Sequence, residues 1–152
     1  MNVYLLDTDI VSYLWDAQSI HHEKIAARLR ILNDDDVVAV SVITIYELTH
    51  AVESFDDPIL GKKFENALMA LMNDPDANIY PLDTGGAVFF SRLKHRYKEK
   101  TGIKSREAKK NDLDLVIASI AMEQDATLIS NDAIFKTLSQ IESDFKWENW
   151  TE

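Results

Sequence analysis

The sequence predicts an α/β fold, a three-layer α/β/α sandwich around a central, mostly parallel sheet. Short apolar runs alternate along the chain with longer stretches of helical periodicity. The runs lack polar alternation, as in strands covered on both faces, and alternation of strand with helix gives parallel pairing through right-handed crossovers. Acids also stand just past the carboxyl ends of apolar runs, where open α/β sheets bind ligands. Asp7 follows Met1–Leu6, Asp83 follows Asn78–Leu82, and Asp132 follows Thr127–Ile129.

The remaining elements follow in order. After Asp7, a helix opens at Asp7-Thr8-Asp9, with Ile10, Val11, Leu14 and Trp15 at helical spacing. Residues 17 to 35 read as a surface helix with a stripe of Ile25, Ala26, Leu29 and Leu32. Val37–Val40 is the second strand, and Ser41 is positioned to cap a third helix bearing Ile43, Leu48, Ala51 and Val52. A helix from Pro58 to about Met72 precedes the third strand, Asn78–Leu82. Asp83 is placed to cap a helix from Thr84 to about Tyr97, closed by Thr101-Gly102. A basic loop over 103–110 leads to a helix capped by Asn111 or Asp112. Its apolar run from Leu113 to Met122 predicts burial on most of its surface. Thr127–Ile129 is the next strand, and FKWENW, residues 145–150, is placed as a final edge strand.

A chain of 152 residues with 46% apolar content fits one domain, residues 1–152, with a substantial core. The absence of cysteine excludes a disulfide framework and thiolate metal sites, and fits a reducing, cytoplasmic setting. The amino terminus has no basic leader, and Asp7 and Asp9 interrupt its apolar run, so no signal peptide is expected. No apolar run approaches the ~20 residues of a membrane helix.

The net charge of −10 argues against a polyanion partner, but its distribution does not. From Arg92 to Lys110 the chain has nine Lys and Arg against Glu99 and Glu107, a local excess of seven that leaves an excess of seventeen acids elsewhere. Such asymmetry concentrates positive potential in one segment. Lys104, Arg106, Lys109 and Lys110 are the candidate polyanion contacts, against the plainer reading of a solvated charged loop.

The acids form the candidate site. Asp7 and Asp132 lie at strand ends, and Asp114 lies in a first helical turn. Glu47 lies between Ile43 and Ala51 on an apolar stripe, with no Lys or Arg three or four residues away to pair with it. Asp7 also has the plainer reading of a helix N-cap. Asp112 and Asp114 are separated by about 200° around a helix, so one of them faces the site. Asp114 shares its face with Ile117, Ala118 and Ala121 and is preferred. Four carboxylates without cysteine or paired histidines suit a hard cation, Mg²⁺ or Mn²⁺.

Taken together, LLDTDIVSYL, SVITIYEL around Glu47, NDLDLVIASIA around Asp114, LISNDAIF around Asp132 and the terminal WENW resemble PIN-domain ribonucleases of the VapC toxin type, in the same order and over nearly the whole chain. The resemblance implies a Mg²⁺- or Mn²⁺-dependent endoribonuclease whose four acids fall on Asp7, Glu47, Asp114 and Asp132. It also implies a homodimer and a cognate antitoxin that blocks the site. Asp9 stands where asparagine is frequent and Ser130 where threonine is frequent. Both keep oxygen donors. A competing reading takes Asp7-Thr8-Asp9-Ile10-Val11 as the nucleophile loop of a haloacid-dehalogenase-like phosphatase, with Asp7 attacking phosphorus to form a phosphoaspartate and Asp9 as the acid/base. That reading leaves Glu47 without a role. A non-catalytic protein-binding domain with a vestigial site is the other alternative.

Overall fold

The computed structural model describes all 152 residues, Met1–Glu152. Its centre is a five-stranded, wholly parallel sheet of β1 (Val3–Leu6), β2 (Val37–Ser41), β3 (Asn78–Tyr80), β4 (Thr127–Ile129) and β5 (Lys146–Glu148), in the order β3-β2-β1-β4-β5. The chain moves outward from β1 to β2 and β3, then returns to β1's other side for β4 and β5. The strand order therefore reverses between β1 and β4. That reversal opens a crevice beyond their carboxyl ends.

The strands carry two cores because successive side chains point to opposite faces. In the paired register, Leu5, Ala39 and Leu128 face one way, while Leu6, Val40 and Ile129 face the other. On the first face pack α5 (Ala87–Thr101), α7 (Asp112–Glu123) and α8 (Ala133–Ile141), through Leu93, Leu115, Ala118, Phe135 and Leu138. On the second pack α1 (Thr8–Trp15), α2 (His22–Arg30), α3 (Val42–Val52) and α4 (Pro58–Asn73), through Ile10, Val11, Ile25, Leu48 and Leu68. Trp150, 1% exposed, closes this second core with its ring 5.4 Å from that of Tyr4. The result is the expected three-layer α/β/α arrangement. No helix is long and apolar enough to cross a membrane.

Three expected elements differ in detail. The helix read over 17–35 is only α2. Asp16 Oδ1 accepts from the Gln18 N–H and Ser19 Oγ from the His21 N–H, so side chains draw residues 16–21 into turns instead. The helix read as starting at Thr84 begins as a 3₁₀ turn, Thr84–Gly86, before α5. A Cβ on Gly85 would lie 2.1 Å from Glu123 Oε1, so a larger residue there would push the Glu123 side chain aside. The segment read as a loop over 103–110 is a short helix, α6 (Ser105–Ala108), and a 3₁₀ turn, Lys109–Asn111. Ala108, 1% exposed, anchors it. Gly102 does end α5, at φ 66°.

Candidate active site

Leu6 stands level with Val40 and Ile129 in the sheet, so Asp7, Ser41 and Ser130 form the next row at its carboxyl edge. Asp7 N–H still donates to Ile129 O at 2.9 Å, continuing the ladder one residue beyond β1. Its carboxylate then turns into the crevice, 7% exposed. Oδ1 accepts from the Thr8 N–H at 2.9 Å, which makes Asp7 the N-cap of α1. Oδ2 accepts from Ser130 Oγ at 2.8 Å. Asp7 is thus both helix cap and crevice acid.

Ser130, fully buried, links the two strand ends. The same Oγ accepts from the Asp132 N–H at 3.1 Å, and Asp132 Oδ1 accepts from the Ile134 N–H at 3.1 Å to cap α8. Ser130 O accepts from Trp147 Nε1 at 2.9 Å, tying this turn to β5. On the other side, Glu47 is half-buried on α3. Its Oε1 accepts from Thr8 Oγ1 at 2.6 Å, and Thr8 Oγ1 lies 3.1 Å from the buried Thr44 Oγ1. Sequence reasoning passed over Thr8 and Thr44, whose only signal is a hydroxyl next to Asp7 and another at the start of the Glu47 helix.

The two acids at the start of α7 part company. Asp112 Oδ1 takes the Lys94 ammonium at 2.9 Å. Asp114, about 200° around the helix, turns to the crevice. Its carboxyl is pushed up to about 6, first by burial and then by repulsion from Asp132, Glu47 and Asp9. Asp7 is pushed up to about 7, chiefly by burial, with Asp9 and Glu47 adding to the rise and the bonds from Ser130 and Thr8 opposing it. Asp9 is solvent-exposed as a residue, yet its carboxyl is also raised, by burial and by Asp132. Mutual repulsion of this kind requires proximity. Asp7, Asp9, Glu47, Asp114 and Asp132 therefore share one crevice at the β1/β4 reversal.

The donors are all oxygen, and the buried Asp7 and half-buried Asp114 carboxyls resist ionising without a counter-charge. That chemistry fits a hard divalent cation. Asp7, Glu47, Asp114 and Asp132 are the side chains able to hold it. No three of the acids are already drawn around a single point. Asp7 and Asp132 also serve as helix caps, and Glu47 accepts from Thr8. A mostly apolar cavity of about 350 Å³ lies elsewhere, between α1, α4, β2 and β3, and contains none of the crevice acids.

The basic segment divides as well. Arg92 and Arg96 pair with Glu142, Lys94 pairs with Asp112, and Lys98 Nζ donates to Ser105 Oγ. Lys104, Arg106, Lys109 and Lys110 are exposed and make no ion pair. Arg106 sits on α6 with Lys104 just before it, and Lys109 and Lys110 sit on the turn that leads into α7 ahead of Asp114.

A doubly wound parallel sheet with carboxylates converging at its reversal point defines the class. Residues 4–140 match the PIN domain family, and the chain belongs to it. Among solved structures, VapBC2 from Rickettsia felis bound to a DNA fragment from its promoter is similar at 23% identity over 97% of this chain and 98% of that one, with a TM-score of 0.72. VapBC-1 from nontypeable Haemophilus influenzae matches at 24% identity, over 99% of each chain, TM-score 0.70. FitAcB from Neisseria gonorrhoeae matches at 26% identity, over 97% of each chain, TM-score 0.69. No curated protein matches the chain. Membership of the PIN family sets the phosphatase reading aside, and the bonds at both Asp7 oxygens suit a held carboxylate better than an attacking one.

Proposed function

We propose that the chain is a Mg²⁺- or Mn²⁺-dependent endoribonuclease and the toxin of a two-component toxin–antitoxin pair, acting in the cytoplasm. The observation that carries the reading is the meeting of Asp7, Glu47, Asp114 and Asp132 at the sheet reversal, with Asp7 and Asp114 both raised toward neutrality. Such a set repels a phosphodiester unless positive charge stands between them. When bound, the cation supplies that charge and makes water a better nucleophile at neutral pH. The protein's own part is geometric. Asp7 and Asp132 are fixed by helix caps and share Ser130, Glu47 is held by Thr8, and Asp114 closes the set from α7. Lys104, Arg106, Lys109 and Lys110 hold phosphates flanking the cut. Single-stranded or loop RNA suits an open crevice, since its unstacked bases are accessible.

The same chemistry describes the inhibitor. An arginine fork matches a carboxylate bidentately. A flexible basic tail from an antitoxin would neutralise the crevice and cover the phosphate position together, folding as it binds. A structural neighbour described as a member of the VapBC family of toxin–antitoxin systems, VapBC-5 from Mycobacterium tuberculosis, supports an antitoxin partner for this chain. We place the working form as a homodimer.

The test combines cleavage with growth. The purified chain should cut single-stranded RNA with Mn²⁺ and stop when the ion is chelated. Its production should slow host growth, and the neighbouring small gene should relieve this and yield a co-purifying complex. Inhibition should weaken as Mg²⁺ and salt rise. A harmless, monomeric chain that leaves RNA intact with Mn²⁺ would sink the proposal.

The basic arm gives a separate expectation. Replacing Lys104, Arg106, Lys109 and Lys110 with alanine should weaken RNA binding and flatten its salt dependence, by roughly 0.7 to 0.9 in log–log slope per lost phosphate contact. Fluorescence anisotropy across a salt series measures it. A slope equal to wild type would make the arm a solvated surface.

A further inference from the structure

We infer that Thr8 is a positioning residue that holds Glu47 in the crevice, with Thr44 setting the direction of its hydrogen bond; this rests on the nuclease reading above. Glu47 gains no restraint from its own helix. It stands within α3 on a long side chain, caps no helix and makes no ion pair. The contact that fixes it comes from another element. Thr8, in the first turn of α1, is β-branched and therefore stiff at χ1. Its neighbour Asp7 bonds Ser130 on the β4 side, while Thr8 turns to α3 and meets Glu47 Oε1 at 2.6 Å. That length is typical of a hydroxyl donating to a carboxylate.

The direction of the bonds follows from counting protons. A threonine hydroxyl has one hydrogen to donate and can accept others. Thr8 gives its hydrogen to Glu47, so the 3.1 Å contact with Thr44 must be Thr44 donating to Thr8. Thr44 is 0% exposed, which keeps water from competing for that hydrogen. Its place is fixed in turn by its backbone N–H, which donates to Ser41 Oγ at 3.2 Å. The series Thr44 to Thr8 to Glu47 joins the first turns of two helices to the site, and each bond polarises the next. It occupies Glu47 Oε1 and leaves Oε2 for the crevice. Groups that orient metal-holding side chains in this way typically change metal affinity or activity 10- to 100-fold when removed.

Thr8→Val keeps the shape and removes the hydroxyl; Thr8→Ser restores it. In titration calorimetry of the full chain with Mn²⁺ alone, Thr8→Val should bind roughly 10- to 100-fold more weakly. Thr8→Ser should stay within about threefold of wild type, since it keeps the donor. Cleavage should lose kcat to a similar degree, while KM for RNA changes by less than about threefold, because the RNA contacts on α6 are untouched. Thr44→Val, which leaves Thr8 in place, should shift Mn²⁺ affinity in the same direction by a smaller factor, and carries the test if Thr8→Val fails to fold. Wild-type Mn²⁺ affinity in a folded Thr8→Val chain, or a Thr8→Ser chain as weak as Thr8→Val, overturns the inference while leaving the nuclease reading intact. A wild-type chain that binds no Mn²⁺ overturns both.

Discussion

Asp7→Asn should abolish RNA cleavage and yet melt higher than wild type when divalent ions are chelated at pH 8. The two effects have one cause. Asp7 is 7% exposed, and its carboxyl is raised from 3.8 to about 7 mainly by burial. A carboxyl raised on folding stabilises the fold below its unfolded pKa, and that stability is lost as pH rises through the folded value. For Asp7 the loss runs from about pH 4 to about 7. Asp114, raised to about 6, adds to it in the same direction. At pH 8 the charged Asp7 then costs the ion-free protein on the order of 4 kcal/mol. Asparagine removes that cost, and its oxygen still accepts from the Thr8 N–H. Its amide would meet Ser130 Oγ as a donor, so the serine hydrogen must find another acceptor, which offsets part of the gain. At about 2–4 °C per kcal/mol for a chain of this size, a rise of roughly 5 °C or more is expected. Added Mg²⁺ should raise the wild-type melting temperature and leave that of the variant nearly unchanged. Circular dichroism melts from pH 4 to 8, with EDTA or Mg²⁺, give the stability arm, and a labelled-RNA assay gives the other. A variant that melts lower at pH 8 in EDTA would show that Asp7 is chiefly a structural cap.

The sequence made the fold legible because each strand is a short apolar run ended by an acid or a polar cap. Val37–Val40 and Thr127–Ile129 are strands in the structure, and the terminal FKWENW supplies the edge strand β5. Helix boundaries were harder where side chains bond the backbone locally, as at Asp16 and Ser19. For the acids, helical geometry separated Asp112 from Asp114, and the structure puts Lys94 on the former and the crevice on the latter. The hydroxyls that hold the acids were hidden for a different reason. Ser130 lies 123 positions from Asp7, and Thr8 lies 39 from Glu47. No periodicity reports a contact between two crossovers; it exists only once the sheet order brings those ends together.

Charge illustrates the same limit, and gives the largest expected loss of stability. Arg92 and Arg96 were counted with the polyanion-binding segment, but both turn to Glu142, a carboxylate 2% exposed at the end of α8. Arg92 Nε lies 3.0 Å from Glu142 Oε2, and Arg96 reaches the same oxygen at 2.5 Å. Arg92 also approaches Asp144 at 3.6 Å and lies over the Phe89 ring. A carboxylate at a helix carboxyl end opposes the helix dipole, so these cations offset two penalties, position and burial. The exposures are unequal, since Arg92 and Arg96 are 34% and 43% exposed. Losing Glu142 lets both arginines turn to water; losing both arginines leaves a buried charge alone. The paired Arg92→Met and Arg96→Met variant should therefore lose about 3–5 kcal/mol, well beyond Glu142→Leu. Adding Glu142→Leu to it should recover most of the loss, as expected for residues acting through one contact. Urea unfolding of the variants at pH 7 measures each corner of this cycle. The junction fixes α5 to α8, and α5 in turn packs on α6, so on the nuclease reading the double arginine variant should also loosen RNA binding before it unfolds. If the triple variant were no more stable than the double, the arginines would be acting through packing on Phe89 instead of through the buried carboxylate.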